Sequence, residues 1–232
     1  MPGKFLKWSA LVALLALVDP LPAGAGDVYL NTGGIRGPRT IRTLVEIRRA
    51  MTVPQRWDNS CGSAALSTIL TYHYNDKVSE ALIITSILRV ADPVKIRTRG
   101  GFSLLDLKRF VESRGYEGKG YAGLSLEDLE GFKTPAIVPV HVKGYDHFVV
   151  FRGIRGNRVV LSDPAFGTLT LKVEQFLEVW KGGIGFVVLR PGSTASYRGL
   201  VPRPEELLVP DLDSVGRTAL ELRPTAFTRR GP

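Results

Sequence analysis

The chain has 232 residues, a formal net charge of +9 and a single cysteine, Cys61. One cysteine excludes an intramolecular disulfide framework, so stability must come from a packed core, and the length suffices for one domain. The basic residues are dispersed, with no Lys/Arg block interleaved with aromatics. That excludes a nucleic-acid stripe, while the charge suits peripheral contact with an anionic cell envelope or an acidic substrate.

Lys4 and Lys7 precede an apolar run at 8–18, followed by Pro20, Pro22 and Ala23-Gly24-Ala25. A charged start, a short apolar stretch and an A-x-A site predict a signal peptide over residues 1–25 and delivery to the periplasm. The alternative is an uncleaved anchor, but the run is short of the roughly 20 residues a spanning helix needs. A free thiol in an oxidising compartment is a liability unless it has a chemical purpose or is buried and inert.

Residues 26–50 read as an N-terminal extension, Gly-rich and loose to residue 40, with an alternating strand at 41–47. Val53-Pro54-Gln55 is extended, because the residue before a proline avoids the helical region. From Ser60 to Tyr74, Ala64, Ala65, Ile69 and Leu70 have helical spacing. Ser79 caps a second helix that stops at Asp92-Pro93. Ser103 and Asp106 form a capping-box pattern for a helix ending at Gly115, and Ser125 with Asp128 repeats it over a shorter turn.

The period then changes from helix to strand. Residues 136–143, 147–153, 158–163, 168–172 and 184–190 are short and apolar, interrupted by one helix at 173–181. Helices first and then a mostly antiparallel sheet is an α+β layout. We read 51–190 as the domain and 191–232 as a Pro- and Arg-rich tail, partly ordered, with a helix candidate at 214–222.

Cys61 lies in Gln55-Arg56-Trp57-Asp58-Asn59-Ser60-Cys61-Gly62, at a helix start. Free N–H groups and the helix dipole there favour a thiolate. A histidine alongside would act as base and then acid. His73 is twelve residues along the same helix, about 18 Å away at 1.5 Å per residue, and cannot be the partner. His141 alternates within a strand and reads as either exposed or core. His147 opens the strand His-Phe-Val-Val-Phe.

A three-residue loop at Ile154-Arg155-Gly156 would pair His147 directly with Asp163, on one face of a hairpin. A two-residue turn at Gly156-Asn157 would change the parity and separate them. The sequence allows both. The Gln55 amide, with the N–H of Cys61, would form an oxyanion hole. Singly, Gln55 reads as a surface amide, His147 as a strand histidine and Asp163 as a turn residue. Their joint pattern reads as a cysteine hydrolase. Residues 97–105, basic and Gly-rich, read as a substrate-facing loop or a plain connector. Trp57 and Trp180 read as cleft lining or as core and rim packing.

A glutamine six residues before a helix-starting Cys-Gly, an H-F-V-V strand and a later D-P resemble the papain-like cysteine peptidases of the bacteriocin-processing, double-glycine leader peptidase family. The resemblance covers residues 50–190. The stretches 55–65 and 100–110 look most like standalone exported members, those of Fap functional-amyloid systems. Transporter-linked members work on the cytoplasmic side; the export signal sets this chain apart from them.

The resemblance implies a papain-like fold, with N-terminal helices packed on the sheet. It also implies Cys61 as nucleophile, His147 as base, Asp163 as its orienting group and Gln55 as oxyanion donor, with no cofactor or metal. The expected activity is a periplasmic cysteine endopeptidase acting on a secreted polypeptide or a component of its export machinery. The rival readings are a non-catalytic peptide-binding or chaperone domain, and a cell-wall amidase or acyltransferase of the same fold.

Overall fold

A computed structural model describes residues 26–32, 35–142, 144–192 and 199–208. The signal-peptide segment 1–25 and the helix candidate at 214–222 lie outside the described residues. Among the described residues no helix is long and apolar enough to cross a membrane.

The chain divides into two compact units, with the break after Thr43. In the first, β1 (Gly26–Thr32) and β2 (Ile35–Ile41) form an antiparallel hairpin where the sequence suggested a loose leader. The strand expected at 41–47 is also corrected. Ile41 ends β2, and Leu44–Arg49 is a helix, α1. Glu46 in its first turn and Arg48 and Arg49 in its last suit the helix dipole, and that pattern outweighs the weak alternation.

The second unit begins with α1 and continues through helices α2 (Cys61–Thr68), α3 (Glu80–Leu88), α4 (Pro93–Arg99) and α5 (Leu104–Ser113). Helix α2 runs on into a π-helical turn, Ile69–His73. Then come β3 (Glu117–Tyr121), α6 (Leu126–Gly131), β4 (Ala136–Val142), β5 (Tyr145–Arg155), β6 (Arg158–Asp163), β7 (Gly167–Lys172), α7 (Val173–Val179) and β8 (Gly185–Leu189). A 3-10 turn, Pro204–Leu208, follows. Both expected capping boxes form, Ser103 with Asp106 and Ser125 with Asp128.

Strands β3 to β8 make one sheet of order β3-β8-β4-β5-β6-β7, every pair antiparallel. This is the α+β architecture the sequence predicts. Two apolar clusters fill its interior. One joins Leu66, Ile69, Leu70, Ile83, Leu107 and Val111 from the helices to Val150, Phe186 and Val188. Leu200, from the C-terminal segment, is fully buried in the same cluster. The other joins Leu129 of α6 and Phe176 of α7 to Val138, Val149, Phe151 and Val159. Each large side chain buried this way contributes about 1.5–3 kcal/mol. Trp180 belongs to this second cluster, whereas Trp57 is half-exposed.

Candidate active site

Cys61 is the first residue of α2 and is half-buried. The loop before it is fastened at several points. The Val53 N–H donates to Thr68 Oγ1 at 2.9 Å, and the Gln55 N–H donates to the Pro164 carbonyl at 2.9 Å. The Arg56 N–H donates to both carboxylate oxygens of Glu80 at 3.2 Å. The Ser60 hydroxyl has two acceptors within reach of its one proton, the Trp57 carbonyl at 2.7 Å and Glu80 Oε1 at 2.5 Å. Because Ser60 is engaged there, it makes no side-chain cap on α2. The first N–H groups of α2 therefore remain available to stabilise negative charge at Cys61.

Glu80 is only 3 % exposed. Sequence reading missed it, because a Glu after a Ser N-cap reads as an ordinary first-turn residue. Its distinguishing property, burial under the loop that carries the thiol, is tertiary.

His147, at the start of β5, places Nε2 2.9 Å from Asp163 Oδ1. His147 and Cys61 line the same cleft, and the thiol is among the groups that raise the His147 pKa. With Nε2 engaged by Asp163, Nδ1 is the ring nitrogen left to serve the thiol. Asp163 is itself buried, and its Oδ1 accepts the N–H groups of Ala165 at 2.7 Å and Phe166 at 3.2 Å. Burial alone would lower the His147 pKa. The hydrogen bonds and negative charges of Asp163 and Cys61 outweigh it and raise the pKa to about 10. The imidazolium is thereby favoured next to the thiol.

The route to this geometry differs from the expected one. The turn is the two-residue Gly156-Asn157, with Arg155 opposite Arg158 and Gly153 opposite Val160. Left uninterrupted, that register would put Asp163 opposite Val150, on the face away from His147. Arg152 is an extra residue: the register shifts between Phe151 and Gly153, so Phe151 opposes Leu161 and Val150 opposes Ser162. One bulged residue restores the parity. Continued one step, Asp163 stands opposite Val149, and His147 reaches it diagonally along the shared face.

Gln55 sits beside the site through its backbone. Its side-chain Nε2 donates to the Trp57 carbonyl at 3.3 Å, and its Oε1 is buried without a hydrogen-bond partner.

A cleft of about 310 Å³ opens at Cys61 and His147, lined also by residues 99–104, Pro139, Lys181 and Ile184. The Gly-rich loop thus lines the cleft. Gly101 has φ +153°, and a Cβ there would lie 3.1 Å from the Asn59 carbonyl oxygen, so the wall packs directly on the cysteine loop. Arg99 is pinned by Asp106 at 2.7 Å. On the rim, Asp146 accepts from Lys181 at 2.8 Å and pairs with His141 Nδ1 at 2.7 Å. Those two bonds, Lys181 first, hold the Asp146 carboxyl below its ordinary pKa.

His141 is therefore an exposed rim residue. His73 is buried in the π-helical turn, with Nε2 3.3 Å from Thr134 Oγ1. Burial lowers its pKa to about 4, so it is neutral.

Residues 49–191 match the model of the Peptidase C39 family. The chain is 39 % identical over 199 residues to the probable functional amyloid protease FapD of Pseudomonas aeruginosa, covering 85 % of this chain and 86 % of that one. Its counterpart in Pseudomonas fluorescens is 37 % identical over 187 residues, covering 81 % of each. Among solved structures, a double-glycine motif protease from an AMS/PCAT transporter, in complex with the leader peptide, has a TM-score of 0.50 at 26 % identity, covering 60 % of this chain and 90 % of that one. The peptidase domain of Streptococcus ComA superposes with a TM-score of 0.51 at 22 % identity over 60 % of this chain and 98 % of that one, a likeness of fold. With a thiol at a helix N terminus and a His–Asp pair beside it, this chain belongs to the Peptidase C39 family and is a cysteine peptidase.

Proposed function

We propose that this chain is an exported, periplasmic endopeptidase. In this reading it cleaves a secreted polypeptide, or a component of its export machinery, in a functional-amyloid pathway. The observation that carries the chemistry is the His147 Nε2–Asp163 Oδ1 pair at 2.9 Å, with His147 lining the same cleft as Cys61. The FapD relatives support the pathway, and the pattern of residues 1–25 supports export.

The Cys61 thiolate attacks the scissile carbonyl, and the tetrahedral oxyanion is stabilised by the Cys61 N–H at the start of α2. Gln55 is the second donor, its amide turning from the Trp57 carbonyl toward the oxyanion. His147 then protonates the leaving amine, leaving a thioester on Cys61. Water attacks the thioester with His147 as base, releasing the acid product and the thiol. Asp163 holds the ring and stabilises the imidazolium without taking its proton. The cleft wall at 99–104 is where an extended peptide lies.

The test compares the N and C termini of exported proteins from cells carrying wild type and Cys61→Ala. A terminus present only with wild type identifies the substrate and the bond. Identical termini in both would remove this reading.

A further inference from the structure

Arg152, the residue that bulges out of β5, is buried, with its side chain fully removed from solvent. Its guanidinium meets Glu206 through two bonds, Nη1–Oε1 at 2.7 Å and Nη2–Oε2 at 2.9 Å. Its Nε donates to the Leu200 carbonyl at 2.9 Å. Glu206 in turn accepts the Arg203 N–H at 2.8 Å. The next residue, Gly153, has φ +142°, and a Cβ there would lie 3.3 Å from Pro202 Cγ. Every contact from this bulge to the C-terminal segment goes to residues 200–206, beyond the stretch 49–191 that the family model matches.

We propose that residues 199–208 form a strap that sets the catalytic register, with Arg152 and Glu206 as positioning residues. The bulge is what puts His147 on the face of Asp163. A buried guanidinium is stable only when paired and hydrogen-bonded, so the strap fixes the one conformation of β5 in which an extra residue sits at Arg152. Without the strap, the register given by the Gly156-Asn157 turn runs on uninterrupted and turns His147 away from Asp163. The proposal rests on the reading of Cys61, His147 and Asp163 as catalytic.

The test alkylates Cys61 with iodoacetate across a pH series, in full-length wild type and Glu206→Ala, with near-ultraviolet circular dichroism to establish folding. In wild type, reaction is fast while the imidazolium persists and falls along an alkaline limb that reports His147. Folded Glu206→Ala should show that limb displaced downward by about one pH unit or more, a tenfold change in the proton equilibrium. A purely structural loss would lower the denaturation midpoint and leave the limb in place, overturning the proposal. If Glu206→Ala does not fold, Glu206→Gln decides by the same two outcomes. If neither folds, the strap is a stability element only and the proposal falls. Wild type with no alkaline limb would instead sink the catalytic reading, and the strap proposal with it.

Discussion

The backbone N–H of Gln55 donates to the carbonyl of Pro164 at 2.9 Å, tying the loop that leads to Cys61 to the turn that follows Asp163. The two segments are far apart in sequence and arrive from opposite ends of the domain. Their junction lets the thiol, the imidazole and the carboxylate behave as one unit, so perturbing one should register at the others.

Asp163→Asn removes the charge that stabilises the His147 imidazolium but keeps an acceptor for the Ala165 and Phe166 N–H groups. Turnover should fall by about 10²–10⁴ with the fold intact. The His147 pKa should drop well below about 10. A 15N-detected titration of the imidazole checks this; an unchanged pKa would mean that Asp163 is not its partner in solution.

Cys61→Ala should abolish cleavage while leaving the circular dichroism spectrum unchanged. It should also lower the His147 pKa, because the thiol's hydrogen bond and charge are among the causes that raise it. The same titration measures the shift, and its absence would separate the thiol from the imidazole.

Glu80→Ala leaves the Arg56 N–H without its acceptor and leaves the Ser60 hydroxyl only the Trp57 carbonyl. Each such loss costs about 1–3 kcal/mol when buried. The urea midpoint should fall accordingly, and Cys61 alkylation should slow because the loop leading into α2 is no longer held. A variant as stable as wild type would show the carboxylate to be dispensable.

Stability should be greatest near neutral pH, for two opposite reasons. Burial depresses His73 to about 4 in the folded state, against 6.5 when exposed. Between those values the unfolded chain binds a proton that the folded chain refuses, so stability falls as pH drops from 6.5 and levels below 4. The full span is about 3 kcal/mol. His147 is raised to about 10, so its contribution is complete below 6.5 and is lost as pH rises toward 10. Urea midpoints against pH should show both limbs. His73→Gln should flatten the acid limb, and Asp163→Asn the alkaline one.

The positions of the candidate residues were legible because local rules mark them: Cys61 at a helix start, His147 within a strand, Asp163 at a strand end before a proline. The capping boxes were legible for the same reason. The hairpin register was not, because an extra residue in a strand leaves no mark in alternation when Val149, Val150 and Phe151 before it are all buried. Arg152 reads as an interruption of an apolar run, and its partner Glu206 lies 54 residues away. Strand β3, Glu-Gly-Lys-Gly-Tyr, has no apolar alternation, and its pairing with β8 identifies it as a strand. Glu80 likewise depends on a fold that brings α3 beneath the cysteine loop.

Leu200 has practical weight for anyone preparing this peptidase. It is fully buried in the helix-side core, yet it stands nine residues past Pro191, where the family match ends. A protein trimmed at that boundary would carry a leucine-sized void in the helix-side core, a defect that typically costs about 2–5 kcal/mol. Ligands that seal the void, or conditions that favour compaction, would then pass for activators of a damaged enzyme. Screens for inhibitors should therefore be run on protein that extends at least through Leu208.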